Sequence, residues 1–289
     1  MMKNNNSSRQ PAETIRDEHY VTAIPTEITL EEASDNNPFH TENMYIFGYE
    51  HLELSEKRDF VDMMFLLFQG ELPEPKEKTL FDKLLCCLIN PGPRHPATRA
   101  AQNVGIARTK LQHALPISLS VGSGSYLGSD DVFNAMQFLI RNVDADPAEI
   151  AISQLASSGF DATQEPLVAP GFGAFYGGAD PYACKLASFI KPYNPNGKYW
   201  VFASKLVNQW QSQDTAIGWL TSGLAAAIFC DLGFHPRQGN LLFQIAISPG
   251  LGAHAVEKAN KPVTDMPFPS DDNYFIDASA LSKSAKQED

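Results

Sequence analysis

No stretch of this 289-residue chain approaches the roughly 20 consecutive apolar residues that a membrane-spanning helix needs. The first residues, Met1-Met2-Lys3-Asn4-Asn5-Asn6, carry no apolar core for a secretion signal, so the expected location is the cytoplasm. Cysteine is scarce, with four in all at Cys86, Cys87, Cys184 and Cys230, set in apolar helix-like surroundings that suit buried, reduced thiols. No histidine stands at metal-ligand spacing from them, and no metal is expected. Basic residues are outnumbered 22 to 34 by acidic ones, and the net charge of -12 opposes binding to a phosphate backbone, so nucleic acid is not an expected partner.

β signal is also sparse. Residues 1–18 are polar and expected to be a disordered tail, and residues 20–28 read as a short strand or extended arm. After that the pattern is helical. Phe60, Met64, Leu67 and Phe68 recur at helical spacing behind a Ser55 cap and stop at Gly70. Further helices are expected over 79–89, 98–109, 111–121, 130–142, 147–157, 182–190, 199–212, 221–232, 241–247 and 251–260. The segment 221–232 is apolar on every side and is expected at the centre of the fold. The chain therefore reads as all-α.

One loop interrupts this pattern. Pro170-Gly171-Phe172-Gly173-Ala174-Phe175-Tyr176-Gly177-Gly178-Ala179-Asp180-Pro181-Tyr182 contains four glycines and an aromatic run but no His, Lys, Arg, Glu or Cys. A loop with such backbone freedom between helices is a site candidate, while an isolated one is more often a solvated turn.

Several local strings are specific in combination. Ile46-Phe47-Gly48-Tyr49, then Leu66-Leu67-Phe68-Gln69-Gly70-Glu71-Leu72-Pro73, the loop Gly171-Phe172-Gly173 with Tyr176 and Asp180-Pro181, the helix from Gly223 to Asp231-Leu232-Gly233-Phe234, and Pro249-Gly250-Leu251 with His254 and Glu257 occur in the order and with the gaps of the citrate synthase family. The chain resembles its short members, including citryl-CoA lyase-like proteins, from about residue 20 to residue 260. The resemblance implies an all-α fold with a large helical domain (19–142 and 241–289) and a smaller one (143–240) closing over a cleft. It also implies a homodimer, and it places the backbone of Pro170, Gly171, Phe172 and Gly173 against a coenzyme.

The family's chemistry needs an aspartate base, two histidines and carboxylate-holding arginines. At the corresponding positions this chain has Pro91 and Ser125 for histidines, Ala174 for the second catalytic histidine, Tyr182 for an arginine, Ser222 for the aspartate and Ile247 for another arginine. Parental condensation is therefore expected to be absent, with acyl-CoA, coenzyme A or a small carboxylate as a ligand and no cofactor required. Tyr126, Tyr176 and His95 are the candidate replacements, the tyrosines as phenolic donors and His95, with Arg94, as replacement charge. Asp130 and Asp131 read first as carboxylates favoured in a helix's first turn, and Asp180 as a turn residue. His113 reads as a core or boundary residue, His235 as exposed and His254 as packing. Two alternatives stay open: an enzyme repurposed to use tyrosine and serine groups in the same cleft, and a regulatory subunit that pairs with an active relative as a heterodimer.

Overall fold

The computed structural model describes residues 26–161, 166–213, 215–267, 269–270 and 272–274. The expected disordered tail and the larger part of the expected 20–28 arm lie outside them. The chain forms two contact units, one up to Arg58 and one from Asp59 onward.

The first unit is a β-ribbon. Strand β1 (Thr29–Ser34) pairs antiparallel with β2 (Asn37–Ile46), with Thr29 opposite Ile46 and Leu30 opposite Tyr45. A short β3 (Tyr49–Glu50) returns on β2 across a turn in which Phe47 and Gly48 both have positive φ. Glu50 then caps α1 (His51–Lys57), its carboxylate accepting the Leu52 and Glu53 N–H groups. The ribbon corrects the expectation of almost no β-structure. Both of its faces are largely exposed, so it lacks the apolar/polar alternation by which a half-buried strand is recognised.

The second unit is mostly helical, as expected. Helix α2 (Phe60–Gln69) is capped by Asp59 in a capping box with Asp62 and ends at Gly70 in the left-handed region. Ser55, expected as the cap of this helix, lies within α1, and Asp59 caps α2 instead. There follow α3 (Pro75–Leu88), α4 (Pro96–Ile106), α5 (Ala114–Gly122), α6 (Ser129–Asn142), α7 (Pro147–Ser157), α8 (Pro181–Ile190), α9 (Lys198–Ser212), α10 (Thr221–Asp231) and α11 (Pro236–Ala259). Helices α3, α4, α7, α8 and α11 all begin on proline, whose missing N–H has no partner to lose at that position.

Helix α11 merges two expected helices. Pro249 stands inside it, and the carbonyl of Ile245, which Pro249 cannot serve, accepts the Ser248 hydroxyl at 2.7 Å. The next amide leaves the ladder altogether, since Gly250 N–H donates to the Ile89 carbonyl at 3.0 Å. With those groups satisfied the proline is accommodated rather than terminal.

Helix α10 is buried from Ser222 to Cys230, as its all-round apolarity predicts, and packs against α6, α9 and α11. Beside it lies a small antiparallel sheet, β4 (Leu167–Ala169), β5 (Phe172–Gly173) and β6 (Gly218–Trp219), not anticipated from sequence. Phe172 on β5 packs between Trp210 and Trp219, and Trp219 stacks on Trp200 with ring centroids 5.1 Å apart. All four cysteines are free thiols; Cys230 is buried as expected, but Cys87 and Cys184 are half-buried and Cys86 is exposed. Among the described residues no helix is long and apolar enough to cross a membrane.

Candidate functional site

The glycine loop is an internal joint. Gly171 sits at φ 80° in the turn from β4 to β5, and a Cβ on it would stand 2.5 Å from the Gly223 Cα in the first turn of α10. Conversely, a Cβ on Gly223 would meet the Gly171 carbonyl oxygen at 2.1 Å. Two glycines are what allow these backbones to touch. The Gly171 carbonyl accepts the Leu220 N–H at 3.1 Å, and the Gly171 N–H donates to Oδ1 of Asp131 at 2.9 Å. Gly171, Phe172, Gly173 and Ala174 are all buried, and of the proposed coenzyme-facing backbone Pro170 alone is half-exposed. The solvated-turn alternative therefore does not describe this part of the loop.

Asp131, on α6, is the third member of the joint. Its Oδ2 accepts the Ser222 hydroxyl at 2.5 Å, and the side chain is 2% exposed. Burial pushes its carboxyl up to about 6, against the opposing pull of the Ser222 and Gly171 hydrogen bonds, while Asp130 adds to the rise. The sequence reading of Asp131 as a first-turn residue is right in position and incomplete in role. The available signal is its place on the buried stripe of α6 with Val132, Ala135, Met136 and Leu139.

In front of α10 lies a cavity of about 680 Å³. It brings together Pro91, His95, Tyr176, Tyr182 and Ile247, five of the positions singled out from sequence. Ala174 and Ser222 are buried outside its lining, and Ser125 lines a second cavity of about 590 Å³ that also reaches Asp131 and Pro170. Tyr126 packs edge-on against Phe175, whose residue lines the first cavity.

The polar groups of the first cavity are mostly committed. His95 caps α4: Nδ1 accepts the Ala97 N–H at 3.2 Å, so Nε2 carries the proton and donates to the Leu127 carbonyl at 2.9 Å. Burial, with Arg99 nearby, holds its pKa below the ordinary imidazole value. A neutral imidazole with both nitrogens engaged has no ring nitrogen left to meet a ligand. Asp180 caps α8 through the Tyr182 and Ala183 amides. Asn90 Oδ1 accepts the Gly92 N–H at 2.9 Å and lies 3.3 Å from His254 Nε2, so His254 ties α11 to the cavity floor. The free polar groups are the Arg94 guanidinium at the exposed rim, the phenols of Tyr176 and Tyr182, and Thr221 in the first turn of α10. Tyr176 is 89% exposed and held at φ 60°. Thr221, which precedes Ser222 and so stands beside a position the resemblance assigns to the site, lines this cavity. His113, expected at a core boundary, is exposed, and His235 is exposed as expected and caps α11.

No family model and no curated protein matches this chain. Solved structures do. Citryl-CoA lyase from Hydrogenobacter thermophilus is 24% identical with a TM-score of 0.70, over 88% of this chain and 94% of its own. ATP citrate lyase from Methanothrix soehngenii, solved with citrate and coenzyme A, is 14% identical with a TM-score of 0.66 over 96% of this chain, which spans 47% of that longer protein. Citrate synthase from Thermoplasma acidophilum, in a ternary complex with carboxymethyl coenzyme A and oxaloacetate, is 17% identical with a TM-score of 0.53, over 76% of this chain and 60% of its own. At these identities the likeness is one of architecture, and the chain has the mostly helical citrate synthase-like fold.

Proposed function

We propose that this protein binds a coenzyme A thioester or a small carboxylate in the 680 Å³ cavity and does not run the condensation of acetyl-CoA with oxaloacetate. The observation that carries this reading is that Pro91, Tyr182 and Ile247, where the resemblance expects a histidine and two arginines, line one and the same cavity. A general acid or base contributes ~10²–10⁴-fold and an oxyanion donor ~10²–10³-fold. The uncommitted groups here, one guanidinium, two phenols, a threonine hydroxyl and the Cys87 thiol, whose pKa burial raises, include no base suited to a carbon acid. Asp131 does not line this cavity. The neighbours' own ligands, citrate with coenzyme A in one and carboxymethyl coenzyme A with oxaloacetate in another, support a related ligand. Arg94 would meet its phosphates or carboxylate; of the loop backbone that the resemblance sets against a coenzyme, Pro170 lines the second cavity and Gly171, Phe172 and Gly173 are buried outside the first.

A homodimer and the division into a large domain (19–142 with 241–289) and a small one (143–240) belong to the same proposal. Dimerisation is supported by an uncharged surface: Leu115 and Val121 of α5 and Leu241, Ile245 and Val256 of α11 are all exposed, and Leu115 lies against α11 at Gly252. Four unpaired thiols suit a reducing, cytoplasmic setting.

The test is calorimetric titration of the full chain with coenzyme A, acetyl-CoA and citrate, alongside thiol release from acetyl-CoA with oxaloacetate. Binding without thiol release is expected. Turnover within about tenfold of an ordinary citrate synthase overturns the reading. A second reading, an enzyme repurposed around Tyr176 and Tyr182, is favoured by the exposure of both phenols at the cavity; turnover of another thioester that is lost in Tyr176→Phe would establish it.

A further inference from the structure

The charge balance of the first cavity says which acyl group it takes. Its floor and walls include Leu186, Leu220, Phe243 and Ile247, with Phe175 and Pro181 at the loop side. Ile247 is 1% exposed, so its side chain is part of the core beneath the cavity rather than a residue that swings aside. Among the described residues Arg94 is the one Lys or Arg in the lining, and it stands at the exposed rim. No other group in the lining brings positive charge: His95 is held neutral between Ala97 and Leu127, Asp180 is an anion already occupied as the α8 cap, and Cys87, Tyr176 and Tyr182 offer no cation.

An ionised carboxylate brought against the apolar floor, away from Arg94 at the rim, loses hydration that neutral phenols and a threonine hydroxyl replace only in part, and no cation there neutralises it. An alkyl or aryl group at the same place loses no hydrogen bonds and buries apolar surface. The volume, about 680 Å³, is within the range of sites that hold a drug-sized ligand. The two exposed phenols suit a single acyl carbonyl, to which each can donate one hydrogen bond.

We infer that the acyl group bound in this cavity is apolar and monocarboxylic, an aliphatic or aromatic thioester, and not the carboxylated oxo acid or its citryl adduct. The inference rests on the proposed function for the thioester and goes beyond it in naming the acyl class.

The experiment is a calorimetric comparison of butyryl-, hexanoyl-, benzoyl- and succinyl-CoA on the full chain, with hexanoate and succinate as free acids in a parallel series. Succinyl-CoA matches butyryl-CoA in chain length and adds one carboxylate. Each buried methylene is worth roughly fourfold in affinity, so hexanoyl-CoA is expected to bind at least about tenfold tighter than butyryl-CoA, and succinyl-CoA at least about tenfold weaker. Succinyl-CoA binding as well as or better than butyryl-CoA overturns the acyl class and leaves the proposed function standing. If no coenzyme A compound binds, the thioester reading fails; the acyl class then stands if hexanoate binds better than succinate and falls in every other case. Tyr182→Arg, at an exposed position on the rim, is expected to raise the affinity for succinyl-CoA relative to butyryl-CoA; an unchanged ratio counts against the inference. This variant is preferred to Ile247→Arg because Ile247 is in the core.

Discussion

Ser222 donates its hydroxyl to the carboxylate of Asp131 across 2.5 Å, joining the first turns of two helices that lie 91 residues apart in sequence. The same carboxylate holds the Gly171 amide, so one acid closes a joint between α6, α10 and the glycine loop. Ser222 is where the resemblance expects a catalytic aspartate. A carboxylate therefore does reach this spot, from another helix and turned into the protein interior.

This joint sets a pH dependence. The folded protein raises the Asp131 carboxyl from 3.8 to about 6, so it favours the protonated form. The stabilisation is full below pH 3.8 and is lost as pH rises through 6, by about 3 kcal/mol. Asp131→Asn keeps an acceptor for Gly171 and a partner for Ser222 without the buried charge. Urea unfolding is expected to show the variant more stable by about 1–3 kcal/mol at pH 7.5, with the two proteins converging near pH 4. A variant equally destabilised at both values contradicts the assignment.

Gly223→Ala should be among the most damaging single-methyl changes in the protein. The added Cβ would meet the Gly171 carbonyl oxygen at 2.1 Å, backbone against backbone, with no flexible side chain to yield. A loss of about 3 kcal/mol is expected in chemical denaturation. Gly178→Ala, where a Cβ meets nothing within 4 Å, is the control and should change stability by less than about 0.5 kcal/mol.

Asp231 caps α9 from outside. Gly197 has no side chain to cap that helix, and Asp231 takes over by accepting the Tyr199 and Trp200 amides at 2.8 and 3.0 Å and the Asn194 amide group at 2.7 Å. Asp231→Ala leaves these donors unserved in a part-buried place and should cost about 2–3 kcal/mol. Hydrogen exchange should localise the change to the start of α9.

The uncharged face of α5 and α11 is tested by Leu115→Glu with Ile245→Glu. Both side chains are exposed, so folding should be unaffected within about 0.5 kcal/mol. Sedimentation equilibrium is expected to show the wild-type chain as a dimer and the double variant as a monomer. A monomeric wild type removes the dimer from the proposal.

How much of this was legible depends on where each signal resides. Gly70 as a stop and the apolar face of α6 were readable because caps and periodicity are encoded within a few residues. The exposed hairpin β1–β2 was not, since neither face carries a continuous apolar stripe. Pro249 was read as a break because the groups that rescue α11 there include Ile89, far away in sequence.

At the site the division is the same. The sequence by itself determined which chemical groups exist: no histidine in the loop 170–182, isoleucine at 247, serine at 222, and glycines at 171 and 223. Those identities decide which side-chain groups each position can offer wherever the residues end up. Only the tertiary structure decided which of them face one cavity, that His95 spends both ring nitrogens on α4 and Leu127, and that Asp131 turns inward to Ser222 and Gly171. Burial and hydrogen-bond partners are properties of atoms brought together from distant parts of the chain, and a carboxylate's role follows from those partners rather than from its neighbours in sequence.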